Sequence, residues 1–139
     1  MTDRTVAAEK LRLVDQYTDE LREMRDVPRD EYLADVMRQR AVERSFMNAI
    51  QACIDIAEHV RATEGLAPDG TSKEAVEALG DAGIVSAETE SRLIEAVGFR
   101  NVLAHRYGSI DHDVVYDLLH EDVAWLERFK REVARWLAE

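Results

Sequence analysis

The chain has 139 residues, 46% hydrophobic and 34% charged, which fits one globular domain whose core needs no covalent staples. Two prolines and six glycines are too few for a turn-rich all-β fold, and a single cysteine, Cys53, excludes an internal disulfide or a cysteine-rich zinc site. No apolar run approaches the roughly 18 residues of a membrane span, and the opening Met-Thr-Asp-Arg-Thr has no apolar h-region. Neither a span nor a signal peptide is expected, and the expected location is cytoplasmic.

The balance is acidic: 29 Asp and Glu against 18 Lys and Arg give a net charge of −11. A generic coat for polyanions is excluded, because phosphate backbones reward dense positive charge. A local basic site is not excluded. Lys10, Lys73 and Lys130 are the only lysines. The arginine bias suits phosphate recognition, and GC-rich coding would produce it equally.

Helical periodicity runs through the chain. Leu11, Val14, Tyr17, Leu21 and Met24 recur at three- and four-residue steps, so Thr5–Arg25 reads as a first amphipathic helix. Asp26-Val27-Pro28 breaks it, and Arg29–Asp35 reads as a short helix. Gln39–Arg61 is the second main helix. Val42, Phe46, Ala49, Cys53, Ile56, Ala57 and Val60 form one stripe on it, and Met47, Ile50 and Ile54 form another. An apolar arc that wide implies more than one packing neighbour and buries Cys53 as an inert thiol.

The segment from Gly65 to Gly70 reads as a loop. Thr71 or Ser72 caps a short helix that ends at Asp81-Ala82-Gly83. Ser86 caps the next helix, with Glu88 and Glu90 at its positive end, and Gly108 stops it after Tyr107. Asp111 or Asp113 opens the last helix, which runs unbroken to the C-terminus through Val115, Leu119, Val123, Leu126, Phe129 and Val133. The expected fold is all-α: an antiparallel bundle of four long helices plus one or two short ones.

The chemistry concentrates in Gly98-Phe99-Arg100-Asn101-Val102-Leu103-Ala104-His105-Arg106-Tyr107-Gly108. On a helical wheel Leu93, Val97, Arg100, Ala104 and Tyr107 share one side within about 80°. Arg100 thus falls in an apolar stripe and needs an anionic or polar partner. Asn101 and His105 are one turn apart on a neighbouring face, and Gly98 precedes them there. A glycine inside a helix costs about 1 kcal/mol relative to alanine, explicable if another helix or a ligand approaches. Arginine neutralises phosphate oxygens, histidine moves protons near neutral pH and asparagine orients either. The set suits phosphodiester chemistry without a metal or other cofactor. A purely structural reading competes: His105 and Arg106 complement the helix dipole and Tyr107 packs in the core.

Arg100-Asn101-Val102-Leu103-Ala104-His105-Arg106-Tyr107 resembles the Arg-x4-His-x-Tyr signature of HepT-type toxins in the HEPN superfamily. Glu43-Arg44, the run Ala49–Val60 and the trailing Gly108-Ser109-Ile110-Asp111 fit the same family. The likeness extends from about Tyr32 to the C-terminus and is weaker over the first helix. It departs at Arg106, where relatives often carry an acidic residue.

The resemblance implies a single HEPN-like helical domain over residues 1–139 that forms two-fold homodimers with Arg and His in an interface cleft. It implies a metal-independent ribonuclease toxin of a type II/VII-like toxin–antitoxin pair. The implied partner is a minimal nucleotidyltransferase (MNT-type) antitoxin that in several systems adenylylates the matching tyrosine. Carried over, Arg100 stabilises phosphorane charge, His105 transfers protons, Asn101 supports both, and Tyr107 accepts AMP. The residues agree on one point independently: cleavage by a ribose 2′-OH wants a base and an acid. One chain offers one well-placed histidine, and a two-fold axis brings a second.

Glu43 and Arg44 are candidate supporting residues: Glu43 is expected either to orient Arg100 across the bundle or to form an ordinary surface pair. His59 reads as a dipole complement, Asp111-His112-Asp113 as the acidic opening of a helix rather than a metal clip, and Asp113, Asp117 and Glu121 as a solvated ridge open to a basic partner. Two readings compete with a nuclease. One is a catalytically silent HEPN module that binds nucleotide or acts as a scaffold for its partner. The other is a plain helical dimer, which leaves Arg100 unexplained.

Overall fold

The computed structural model describes residues 3–66 and 70–139, and the side chains of all of these except Asp3 and Tyr107. Among the described residues seven α-helices and one 3-10 turn follow in order: α1 (Asp3–Met24), α2 (Arg29–Ala34), α3 (Val36–Glu64), α4 (Ser72–Asp81), α5 (Ala87–His105), the turn Tyr107–Ser109, α6 (His112–Glu121) and α7 (Val123–Ala138). The expected loop at 65–70 falls partly on Ala67–Asp69, outside the described residues.

Local chemistry accounts for most boundaries. Asp35 ends α2 and opens α3, its carboxylate accepting the Arg38 N–H at 3.0 Å. The second main helix therefore begins at Val36, one turn earlier than the apolar stripe alone suggests. Gly65 closes it at φ 60°, a left-handed conformation that costs glycine little. Thr71 and Glu74 form a reciprocal capping box on α4. Ser86 accepts the Thr89 N–H on α5, and Asp111 accepts those of Asp113 and Val114 on α6.

Two expectations fail at helix ends. α5 stops at His105, and Gly108 lies inside the following 3-10 turn. Tyr107 is therefore not on the α5 wheel beside Arg100. The C-terminal helix is also not continuous: Asp122 separates α6 from α7 while its own φ −83° and ψ −21° stay helical. No proline or glycine marks this kink, and the apolar spacing continues through it, so periodicity alone misses it.

The four long helices alternate in direction. Asp15 takes Lys130 at 2.6 Å, and Arg22 pairs with Glu127, which sets α1 antiparallel to α7. The Thr89 hydroxyl donates to Glu132 at 2.5 Å, and the Arg92 guanidinium lies over the Trp125 ring, so α5 also runs against α7. One cleft is lined by Ala7 of α1, Val60 and Thr63 of α3, and Trp136 of α7. The N-termini of α1 and α5 and the C-termini of α3 and α7 thus share one end of the bundle. The end of α5, the start of α6, α2 and the start of α3 share the other.

α3 is the central element. Val42, Phe46, Ala49, Ile50, Cys53, Ile54, Ile56, Ala57 and Val60 are all buried. Phe46 meets Phe99 edge-on, with ring centroids 5.4 Å apart, and truncating it to alanine is expected to cost about 3–5 kcal/mol. α1, α4, α5 and α7 fill the wide apolar arc, so it needs no second copy of the chain. Cys53 is fully buried, and burial pushes its thiol up. The acidic ridge of α6 also has an internal partner: Arg29 reaches Asp113 at 3.0 Å and Asp117 at 2.5 Å, and lies over Tyr116.

Burial, opposed by Arg92 and reinforced by Glu121 and Glu95, pushes the Asp122 carboxyl up to about 6 from 3.8. Between those values the folded chain retains a proton that the unfolded chain has lost, so stability falls as pH rises through that window. The Asp122 side chain makes no cap bond. Asp122→Asn is therefore expected to melt higher than the parent at pH 7 and at the same temperature near about pH 3.5. Calorimetry at the two pH values checks this.

Candidate functional site at the end of α5

Leu93 and Val97 anchor α5 in the core, and Arg100 continues their side half-buried, facing α3. Its partner there is an amide, not an acid. Nη1 donates to Gln51 Oε1 at 2.6 Å, while Nη2 and Nε donate to Asn101 Oδ1 at 2.6 and 3.2 Å. Gln51 is itself held by its Nε2 donating to Asp55 Oδ1 at 2.9 Å. Neutral acceptors fix the guanidinium without cancelling its charge, so its attraction for an anion is retained.

Asn101 draws the Arg100 head round from the α3 side to the outer face of α5. That face carries Gly98, Asn101, Val102 and His105 at helical spacing, all exposed. A Cβ on Gly98 would meet nothing within 4 Å. Nothing among the described residues explains the glycine, and the face is open to close approach from outside. His105 is the last residue of α5, about 7.5 Å along the axis from Arg100. Arg106 is exposed beside it. Tyr107 opens the 3-10 turn, and its side chain lies outside the described residues.

The structure thus brings Arg100 and Asn101 into direct contact and sets His105 one turn beyond Asn101. Glu43 does not join them. It is buried on α3 against Arg40 Nη1 at 3.3 Å and His112 Nδ1 at 3.6 Å, while Arg44 is exposed. Among the described residues Glu43 makes no contact with Arg100; it pairs with Arg40, as an ordinary ion pair would, but from a buried position and with His112 beside it. Burial and the nearby Glu43 carboxylate raise the Tyr32 phenol well above its ordinary range.

Asp111, His112 and Asp113 diverge, to the α6 cap, to Glu43 and to Arg29. His59 sits near the end of α3 in the cleft at the opposite end of the bundle. Gln51 and Asp55 were not singled out by the sequence. Their signal was a polar pair at i and i+4 inside an otherwise apolar run.

Comparison with known proteins places the fold and the family. Residues 14–133 match the family described as ribonuclease HepT-like. The chain is 31% identical over 107 residues to the tRNA nuclease HepT of Aphanizomenon flos-aquae, covering 77% of this chain and 73% of that protein. It is 24% identical over 99 residues to the mRNA nuclease HepT of Shewanella oneidensis, covering 71% and 74%. Its fold superposes with a TM-score of 0.87 on the tri-AMPylated Shewanella oneidensis HEPN toxin solved in complex with its MNT antitoxin, at 20% identity over 97% of this chain and 99% of that one. The Arg-x4-His-x-Tyr spacing at the end of α5 and the family match over most of the helical bundle lead to one conclusion: the chain belongs to the ribonuclease HepT-like family.

Proposed function

We propose that this protein is an endoribonuclease toxin acting by metal-independent transesterification. The observation that carries this is the Arg100 guanidinium, fixed by Gln51 and Asn101 with no carboxylate among the described residues to neutralise it, five residues before an exposed His105 on the same helix. The names of the relatives, a tRNA nuclease and an mRNA nuclease, support RNA as substrate.

In the reaction the ribose 2′-oxygen attacks the adjacent phosphorus while a histidine takes its proton. The P–O5′ bond breaks, and a second acid protonates the departing 5′-oxygen. A 2′,3′-cyclic phosphate and a 5′-hydroxyl result. Arg100 stabilises the extra negative charge on the phosphorane oxygens, and Asn101 holds Arg100 in place. Arg100→Ala or His105→Ala is expected to lower cleavage by about 10² or more while the helical fold persists, and EDTA is expected to leave the parent active. Full cleavage by a folded His105→Ala protein would falsify the assignment.

A homodimer completes the acid–base pair. The open face of Gly98, Asn101, Val102 and His105 lets a second α5 approach across a two-fold axis, bringing the second Arg100–His105 set into one cleft. The expected species in ultracentrifugation has twice the 15.8 kDa of one chain. Val102→Glu, placing a charge on that face, is expected to give an inactive monomer. A fully active monomer removes the composite site.

The partner in this reading is an MNT-type nucleotidyltransferase antitoxin, as in the complex of the Shewanella toxin. The Tyr107 phenol attacks the α-phosphorus of ATP, pyrophosphate leaves with the phenol's proton, and AMP stays on the tyrosine. The added phosphate competes for Arg100, and the nucleoside blocks the cleft. Mass spectrometry after co-expression is expected to find AMP on Tyr107 and no RNase activity in the modified protein. Steric cover is the competing mode of silencing, and a Tyr107→Phe toxin that its partner still fully neutralises would establish it. The acidity of the chain favours a second reading, a catalytically silent module that serves its partner as acceptor. RNase assay of partner-free protein separates the two.

A further inference from the structure

Glu43 is the one buried carboxylate on α3 that the proposed chemistry leaves unused. Its side chain is 9% exposed. Arg40, from the same helix, engages Oε1 at 3.3 Å, and Oε2 faces His112 Nδ1 at 3.6 Å. His112 Nδ1 is itself buried and makes no hydrogen bond, and the buried Tyr32 hydroxyl likewise has no partner. Burying a carboxylate carries a large desolvation cost, and an apolar pair would hold two helices together at least as well. An ionisable pair at this point calls for a reason other than stability.

The reason lies in how α5 ends. α3 closes on a left-handed glycine, but α5 has no such cap. Arg106, at φ −131° and ψ 34°, returns its N–H to the Val102 carbonyl, and the chain leaves into an exposed turn. Within that turn Ser109 bonds only back to the Arg106 carbonyl. Ile110 packs half-buried on the core, and His112 meets Glu43. α5 runs antiparallel to α3, so the step from Arg100, at Gln51, to His105 brings His105 to within about one turn of the level of Glu43.

We propose that Glu43 and His112 form a latch, pinning the segment after α5 to α3 and so preventing the last turn, which carries His105, from fraying. They are positioning residues for the proton transfer by His105, and this inference rests on the nuclease reading above.

The test is steady-state cleavage of a bulk tRNA pool and of an unstructured labelled RNA by the full chain, with melting temperature measured alongside. Glu43→Ala, His112→Ala and the double variant are expected to lose about tenfold in kcat to the same level, with KM nearly unchanged and the chain still folded at the assay temperature although it melts lower, since a misplaced His105 is competent for only part of the time. His112→Asn, whose amide nitrogen can occupy the place of Nδ1, is expected to restore most of kcat. The inference is overturned if either alanine variant keeps the parental kcat, if the two losses add in the double variant, or if the loss comes from unfolding at the assay temperature and asparagine gives no rescue. A parent chain that cleaves neither RNA overturns the nuclease reading itself.

Discussion

α3 buries apolar side chains round most of its circumference, and a helix of that kind has to be surrounded. α1, α4, α5 and α7 pack against it, and pairs such as Lys130 with Asp15 and Thr89 with Glu132 set α1 and α5 antiparallel to α7. Burial at this level supplies the dominant stabilising term. It also fixes α3 rigidly enough to serve as a reference for everything placed against it. Phe46 packed edge-on against Phe99 sets the depth of α5, and the residue after Phe99 is Arg100.

The polar residues of α3 gain their meaning from that rigidity. Gln51 and Asp55 interrupt the apolar surface where Arg100 arrives, and Glu43 interrupts it where His112 arrives. Each is a polar group placed in a setting that penalises unpaired ones. At Gln51 the partner is a cation held by neutral atoms, and its charge is retained for an outside anion. At Glu43 the carboxylate is shared between a cation of its own helix and a histidine from another. One long helix thereby forms the back wall of the site and the anchor of the turn beyond it.

The net charge of −11 looks unsuited to the RNA substrate proposed above, with its phosphate backbone. Part of it is internally engaged: Asp113 and Asp117 hold Arg29, Asp15 holds Lys130 and Glu127 holds Arg22. At the end of α5, by contrast, Arg106 is exposed and Arg100 has amide partners. The overall sign of the protein and the sign of its candidate site therefore differ. Electrostatic attraction over a few ångströms is set by the local groups, and screening at physiological salt limits the reach of the rest to roughly 8 Å.

By itself the sequence determined the helical class, the order of the elements, the stripe buried on α3 and the cap at Ser86, and it narrowed two further caps to Thr71 or Ser72 and to Asp111 or Asp113, because these depend on local spacing and on side chains bonding backbone a few residues away. It also singled out Arg100, Asn101 and His105, since a charged residue inside an apolar stripe conflicts with its neighbours in any fold. Tertiary structure alone decided which group answers Arg100, that Glu43 meets His112, that Arg29 occupies the acidic ridge of α6, and that the C-terminal helix breaks at Asp122. Gln51 and Arg100 are 49 positions apart, and Glu43 and His112 still further. Periodicity specifies which face of a helix is buried but not which residue of another helix lies opposite it. That choice is made by the packing of the whole bundle.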